Sequence, residues 1–165
     1  MVSIKDIPAE VRWEIAARSA TAMTGAYGVF FERALGDKCA EIVKQIWIEG
    51  GKEAKGLAEK LALPVKDARE VDEAWGVLSQ VLYGPEITWE TVEEGKDRAV
   101  DRITGCPFLN RHREMGADAR GIFDACQAYA KSTVESLNPK YTQRFESAMC
   151  RGAPYCESVV ERKRG

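Results

Sequence analysis

From Pro8 to about Leu35 apolar residues return at helical spacing: Val11, Ile15, Ala16, Met23, Tyr27, Phe30, Phe31 and Leu35. Pro8 suits the first turn of such a helix and Gly36 its end. A second helix is expected to open at Asp37, whose side chain can cap it, with Cys39, Ile42, Val43, Ile46 and Trp47 along one side. The pair Gly50-Gly51 is expected to break or loosen it. A third stretch covers Glu53 to Leu63 and stops at Pro64, and a fourth runs from about Val65 to Tyr83 with Val71, Trp75, Leu78, Val81 and Leu82 in register.

At Gly84-Pro85 the period changes from 3.6 towards 2. Ile87, Trp89, Thr91 and Glu93 alternate with Glu86, Thr88 and Glu90, then Glu94-Gly95-Lys96-Asp97 offers a turn and Ala99 to Ile103 a returning strand. Helical character resumes from about Asn110 to Leu137 and closes at Asn138-Pro139. Two further strands, Tyr141 to Cys150 and Tyr155 to Arg162, are joined by the turn Arg151-Gly152-Ala153-Pro154. The expected fold is α+β: N-terminal helices, then a four-stranded antiparallel sheet of two hairpins with a long helix between them. One domain over residues 1–165 is expected, with 1–83 as its helical part and 84–165 carrying sheet, helix and cysteines.

With 24 basic and 26 acidic side chains the chain has no electrostatic reason to seek nucleic acid or an anionic membrane. Residues 57–80 faintly resemble a helix-turn-helix, but Lys52 to Tyr83 carries five basic and six acidic groups, so a phosphate-facing charge is missing. The N-terminus lacks the pattern of a secretory signal, and no apolar run is long enough to span a membrane, so the cytoplasm is expected. Five cysteines in that reducing compartment read as thiols or ligands rather than disulfides.

Four of the five fall in the C-terminal part. Cys150 and Cys156 flank Arg-Gly-Ala-Pro-Tyr, Cys106 follows the second strand, and Cys126 lies inside the long helix. A helix lying across the sheet would gather them, and four thiolates suit tetrahedral zinc or an iron–sulfur cluster. The spacing of 20, 24 and 6 residues matches neither paired CxxC motifs nor a ferredoxin run. Cys39, alone on its amphipathic helix, reads as core. The lone histidine, His112, stands between Arg111 and Arg113 and with Glu114 forms a candidate general base. Glu114 and Asp118 are expected four apart on one helix face. Tyr27, Phe30, Phe31, Trp75 and Trp89 are core candidates that could also wall a pocket between helices and sheet.

The segment Asp118 to Lys163 contains Asp-Ala-Arg-Gly-Ile-Phe-Asp-Ala-Cys-Gln, then Leu-Asn-Pro, then Met-Cys-Arg-Gly-Ala-Pro-Tyr-Cys-Glu-Ser. It resembles the L-2-amino-thiazoline-4-carboxylic acid hydrolase-like family and, more distantly, the 4-vinyl reductase domain. The second resemblance implies a small-molecule-binding fold with a structural zinc, held here by Cys126 from the helix and by Cys150 and Cys156 from the hairpin. Ser147 stands where the expected glutamate would be and Glu146 points to the opposite strand face, which brings in Cys106 as fourth ligand.

Two functions follow. The first is a small-molecule-binding or accessory domain with a cysteine-ligated zinc or iron–sulfur centre at Cys106, Cys126, Cys150 and Cys156. The alternative is a hydrolase of a cyclic C–N bond, using an open metal position or His112 with Glu114 as base. A small-molecule ligand and a second copy of the chain are the partners considered.

Overall fold

The structure, a computed structural model, describes residues 3–36 and 38–164. The described residues form six α-helices, α1 (Ala9–Leu35), α2 (Lys38–Lys52), α3 (Ala54–Lys60), α4 (Ala68–Tyr83), α5 (Pro107–Glu114) and α6 (Ile122–Leu137), and four strands, β1 (Thr88–Glu94), β2 (Arg98–Gly105), β3 (Tyr141–Ser147) and β4 (Cys156–Arg162). The strands make one antiparallel sheet in the order β1-β2-β4-β3. The α+β fold with helices before the sheet and between its hairpins is what the pattern predicts.

Local chemistry sets most boundaries. Pro8 caps α1 and Gly36, at φ 58°, ends it. The Asp67 side chain accepts from the Glu70 amide and starts α4. The expected cap at Asp37 lies outside the described residues. Pro139 follows the end of α6, and Gly152, at φ 95°, makes the left-handed turn between β3 and β4.

Three expectations are corrected. The glycine pair does not break α2, which runs on to Lys52. Gly51 lies directly against α6: a Cβ there would lie 2.8 Å from Ser132 Cβ and 2.9 Å from the Tyr129 carbonyl oxygen. The Ser132 and Ser136 hydroxyls donate to the Ile48 and Lys52 carbonyls at 2.7 and 2.9 Å, tying the two helices together. The helix expected from Asn110 to Leu137 is two helices, because Gly116 at φ 62° turns the chain after α5.

The third correction concerns α1. Its period is helical, yet the side chains it buries are Ala17, Thr21, Gly25 and Val29, while Tyr27, Phe30 and Phe31 are exposed. Small residues at four-residue spacing admit a close neighbour, and here α5 fills that space: a Cβ at Gly25 would meet Met115 Cε at 3.2 Å and Arg111 Cβ at 3.3 Å.

The core lies between the inner face of the sheet and the helices. Val71, Ala74, Trp75 and Leu78 of α4, Ala130, Val134 and Leu137 of α6, and Ala99, Tyr141 and Val160 of the strands form one buried cluster with Ala54, Ala58 and Ala68. Hydrogen bonds from the Ala68 and Arg69 amides to the Lys96 and Gly95 carbonyls dock the β1–β2 turn on the start of α4. That dock fixes which residues of α4 oppose which residues of β2.

Candidate functional site

Side chains alternate along a strand, so Ala99, Asp101 and Ile103 of β2 all face the helices. Asp101 therefore points into the core. Its cross-strand neighbours are Thr91 on β1 and Ser158 on β4, and Ser158 is in turn opposite Phe145 on β3. The row Thr91–Asp101–Ser158–Phe145 thus crosses the whole sheet. Beside it Gln143 donates to the Ser158 hydroxyl at 3.1 Å, and Gln127 of α6 donates to Gln143 and accepts from the Phe145 amide.

Helix α4 sets Asp72 against Asp101. Both are buried, at 4% and 6% exposure. Burial, then the Asp101 charge, pushes the Asp72 carboxyl far above the carboxylate range, to about 8. Asp101 is also raised by burial, although Thr91 and Asp72 pull it back. Two ionised carboxyls in contact would offer only acceptors, and Oδ1 of each has no donor. One shared proton, held on Asp72, resolves both the repulsion and the hydrogen-bond deficit. One turn along α4, Trp75 packs on Phe145 with ring centroids 6.3 Å apart, and its indole Nε1 is buried without a partner.

Beyond the Phe145 end of the row lies a cavity of about 270 Å³, lined by Phe123, Phe145, Glu146, Ser147, Ala148, Arg151 and Ala153. The Phe123 and Phe145 rings lie 6.4 Å apart, and the Arg151 guanidinium sits 3.4 Å over the Phe123 ring.

The four C-terminal cysteines approach one another beside this gap. Cys106 caps α5, accepting from the Leu109 amide at 3.4 Å; Cys156 accepts from the Met149 amide at 3.2 Å. Burial raises all four thiols, Cys126 most clearly, and its next causes are the neighbouring sulfurs of Cys106, Cys156 and Cys150. They remain free thiols. Among the described residues no three His, Cys, Asp or Glu side chains are arranged to hold a metal ion. The cysteine-ligated zinc or iron–sulfur centre is therefore corrected: proximity is present, coordination geometry is not, and two of the sulfurs serve the backbone as acceptors. Cys39 is buried, as a core residue should be. Against Cys126 packs an aromatic group in which Phe108 meets Trp47 and Tyr83 edge-on, at 5.0 and 4.9 Å, and Tyr129 meets both.

His112 and Glu114 share α5 but not a hydrogen bond. His112 is buried and its Nδ1 lies 2.9 Å from the Phe108 carbonyl, so that nitrogen donates and Nε2 is left free. Glu114 instead accepts from Arg18 at 3.1 Å and Arg111 at 3.0 Å. Asp118 lies beyond the end of α5 and pairs with Arg120, which holds its carboxyl low, at about 2. Glu114 and Asp118 thus do not pair with each other: each is held by an arginine, Arg111 and Arg120 respectively.

A family model described as L-2-amino-thiazoline-4-carboxylic acid hydrolase matches residues 16–159. The chain belongs to that family. No curated protein matches it significantly. Among solved structures it is similar to the phenol-responsive sensory domain of the transcription activator PoxR, bound to phenol, with 15% identity and a TM-score of 0.62 over 86% of this chain and 74% of that one. It is also similar to trafficking protein particle complex subunit 3 from Naegleria fowleri, covalently bound to palmitic acid, with 9% identity and a TM-score of 0.64 over 91% and 96%. At such identities the likeness is one of fold. No helix among the described residues is long and apolar enough to cross a membrane.

The buried acid pair escapes sequence reasoning, which treats a lone aspartate as solvated. Its signal is nonetheless there. Asp101 occupies the inward phase of a strand whose other inward residues are Ala99 and Ile103, and Asp72 stands on the helix face of Val71, Trp75 and Leu78.

Proposed function

We propose that this protein hydrolyses a small cyclic substrate of the amino-thiazoline type, opening a ring C–N bond in the cavity between the start of α6, the end of β3 and the β3–β4 turn. In that reaction water adds across the ring C=N bond, the ring C–N bond breaks, both water hydrogens end on the leaving nitrogen, which becomes a primary amine, and the carbon keeps the oxygen as a carbonyl. The observation that carries the reading is the cavity walled by Phe123 and Phe145, which stands in line with a buried polar row in a chain of this family. Its volume suits a molecule of about ten heavy atoms, near the small end of ligand pockets. Arg151 at the rim, stacked on Phe123 and paired with the exposed Asp124 at 3.4 Å, would meet a substrate carboxylate by exchanging that partner.

Water activation needs a base. His112 can supply it only through Nε2, and Glu114 is occupied by arginines. The protonated state of the thiols argues against a cysteine nucleophile, since the thiolate is the reactive form. Free thiols fit a cytoplasmic setting.

Incubation of the full chain with L-2-amino-thiazoline-4-carboxylic acid should consume the ring chromophore and release a primary amine. No turnover at millimolar substrate over hours would overturn the reading. Full turnover by His112→Ala would remove that residue from the mechanism. A second reading, ligand sensing without turnover, draws on the likeness to the phenol-bound sensory domain; saturable binding of the thiazoline with no product would favour it.

A further inference from the structure

We infer that two copies of this chain pair through α1, the two helices lying antiparallel and seam to seam about a two-fold axis level with Gly25. Pairing of this kind is independent of the hydrolase chemistry.

Helix α1 carries two patterns, and the body of the protein uses only one of them. Ala17, Thr21, Gly25 and Val29, four residues apart, are buried under the rest of the chain. Ala16, Ala20, Met23, Tyr27, Phe30 and Ala34 follow a second pattern of alternating four- and three-residue steps, the 3.5-residue repeat of a coiled-coil seam. At about 100° per residue Tyr27 stands roughly 160° round the helix from the middle of the Thr21–Gly25–Val29 stripe, so the seam faces away from the body. All six of its residues are exposed. Trp13 has the same phase one step earlier, but it leans on α4, its indole donating to the Val81 carbonyl at 3.0 Å, so the open seam begins at Ala16. Residues 19–31 contain no charged side chain, whereas the outer face of a solvated helix is normally charged.

This face matches a second copy in size, shape and charge. Met23, Tyr27, Phe30 and Phe31 are 51%, 55%, 63% and 45% exposed, which at about 200 Å² for a large side chain leaves roughly 430 Å² of apolar surface in water. A standard interface takes about 800 Å² from each partner, of which roughly 450–520 Å² is apolar, and the exposed alanines close the difference. Antiparallel pairing at the level of Gly25 sets Ala20 opposite Phe30, Met23 opposite Tyr27 and Ala16 opposite Ala34, each pair occurring twice by symmetry. The large Phe30 ring then meets the small Ala20, and the Met23 thioether meets the Tyr27 ring. Parallel pairing would stack Phe30 on Phe30 but Ala20 on Ala20, forcing the helices apart at one end and leaving a void at the other. Tyr27 and Phe31 already stack, with ring centroids 6.0 Å apart, so part of the surface is ordered before contact. Self-contact of an uncharged seam brings no like charges together. A lipid surface fits less well: α1 sets Arg12, Arg18 and Arg33 against Glu10, Glu14 and Glu32 and lacks the basic excess of a membrane-surface helix.

The test is sedimentation equilibrium of the full chain between about 1 and about 100 μM, where an interface of this size is expected to be populated. The wild-type chain should be dimeric over most of that range. Phe30→Glu puts a carboxylate into the contact twice and should weaken dimerisation by roughly 100-fold or more. Its helical circular dichroism should be unchanged, because Phe30 is exposed in the single chain. Disulfide trapping reads the direction of pairing. Ala16→Cys and Ala34→Cys chains, mixed and oxidised with a copper catalyst, should give a mixed disulfide dimer. Ala16→Cys alone should give no more than the background set by the native cysteines, since antiparallel pairing holds the two Ala16 positions about 27 Å apart along the axis. A wild-type chain still monomeric at the highest concentration, a Phe30→Glu chain that dimerises no more weakly than the wild type, or self-linking of Ala16→Cys as fast as the mixed pair would each overturn the inference. A monomer that binds phosphatidylglycerol vesicles, with binding lost in Phe30→Glu, would overturn it as well and give this face to lipid. Should Phe30→Glu fail to fold, the trapping result decides.

Discussion

Asp72 of α4 faces Asp101 of β2 across the helix–sheet gap, and the proton they share sits on Asp72 because that carboxyl is the more deeply buried of the two. The pair makes stability depend on pH in an unusual direction. A carboxyl whose pKa is raised on folding binds its proton more tightly in the native state, so its contribution to native stability is fully present below the ordinary carboxylate range and is lost as pH rises towards about 8. The slope is on the order of 1.4 kcal/mol per pH unit for one group. Asp72→Asn removes that slope while keeping the shape. The variant should therefore be more stable than the wild type at pH 8, by roughly 2 kcal/mol or more, and no more stable at pH 4. Urea midpoints at the two pH values check this, and a parallel pair of curves would show that Asp72 is not the protonated member.

Gly51 of α2 packs directly on the α6 backbone, and its constraint is steric rather than conformational. A methyl group there would press on Ser132 Cβ and on the backbone at Thr133 and Tyr129, all within 2.9 Å. Gly51→Ala should destabilise by about 2–3 kcal/mol despite alanine's better helix propensity. Gly56, with nothing near a Cβ, is the control: Gly56→Ala should stabilise by up to about 1 kcal/mol. Thermal melts of the two variants should move in opposite directions.

These two sites show where the sequence is legible. Caps and breakers that act locally, such as Pro8, Gly36, Asp67 and Gly152, place element ends to within a few residues. Gly51 acts through a partner 80 residues away, so a rule about glycine in isolation reads it as a break. Gly116 does act locally, and its left-handed turn was open to reading, but the apolar residues on either side hide it. The apolar period of α1 gives the helix without its buried face, because α5 selects the small residues Gly25 and Thr21 over Tyr27 and Phe30. The cysteines are gathered as expected, yet proximity does not make ligands. The acid pair depends on the docking of α4 on the β1–β2 turn, a tertiary fact that neither aspartate announces.

The thiols carry a prediction of their own. Burial and mutual repulsion hold Cys106, Cys126, Cys150 and Cys156 above the ordinary thiol range. Reaction with a disulfide reagent at pH 7.5 should be slow in the native protein and should reach five thiols in denaturant, since all five cysteines are free. A chelator should leave the melting temperature unchanged, because no described group of three ligands is arranged to hold a metal. A drop of several degrees on chelation would contradict the geometry, since a structural zinc is worth on the order of 10 kcal/mol.

Arg111 makes the last case. Its side chain is 3% exposed, with Nη2 bonded to Glu86 at 2.8 Å and Glu114 at 3.0 Å, and Nε and Nη1 buried without partners. Arg18 reaches the same two glutamates from α1, and Asn110 donates to Glu86 at 2.8 Å, so the network joins α1, α5 and the segment before β1. Removing Arg111 leaves a charge deficit at a half-buried Glu86, which retains only Asn110 and the more distant Arg18. Arg111→Ala should cost about 2–4 kcal/mol, below the full value for breaking a buried pair because both glutamates still reach solvent. Arg111→Lys keeps the charge but not the planar fork, and should cost about half as much. Glu114→Gln should cost under about 1 kcal/mol, because Glu114 is nearly half exposed. Denaturant unfolding of the three variants should give that order. If Glu114→Gln were as damaging as Arg111→Ala, Glu114 rather than Glu86 would be the partner that holds the buried guanidinium in place.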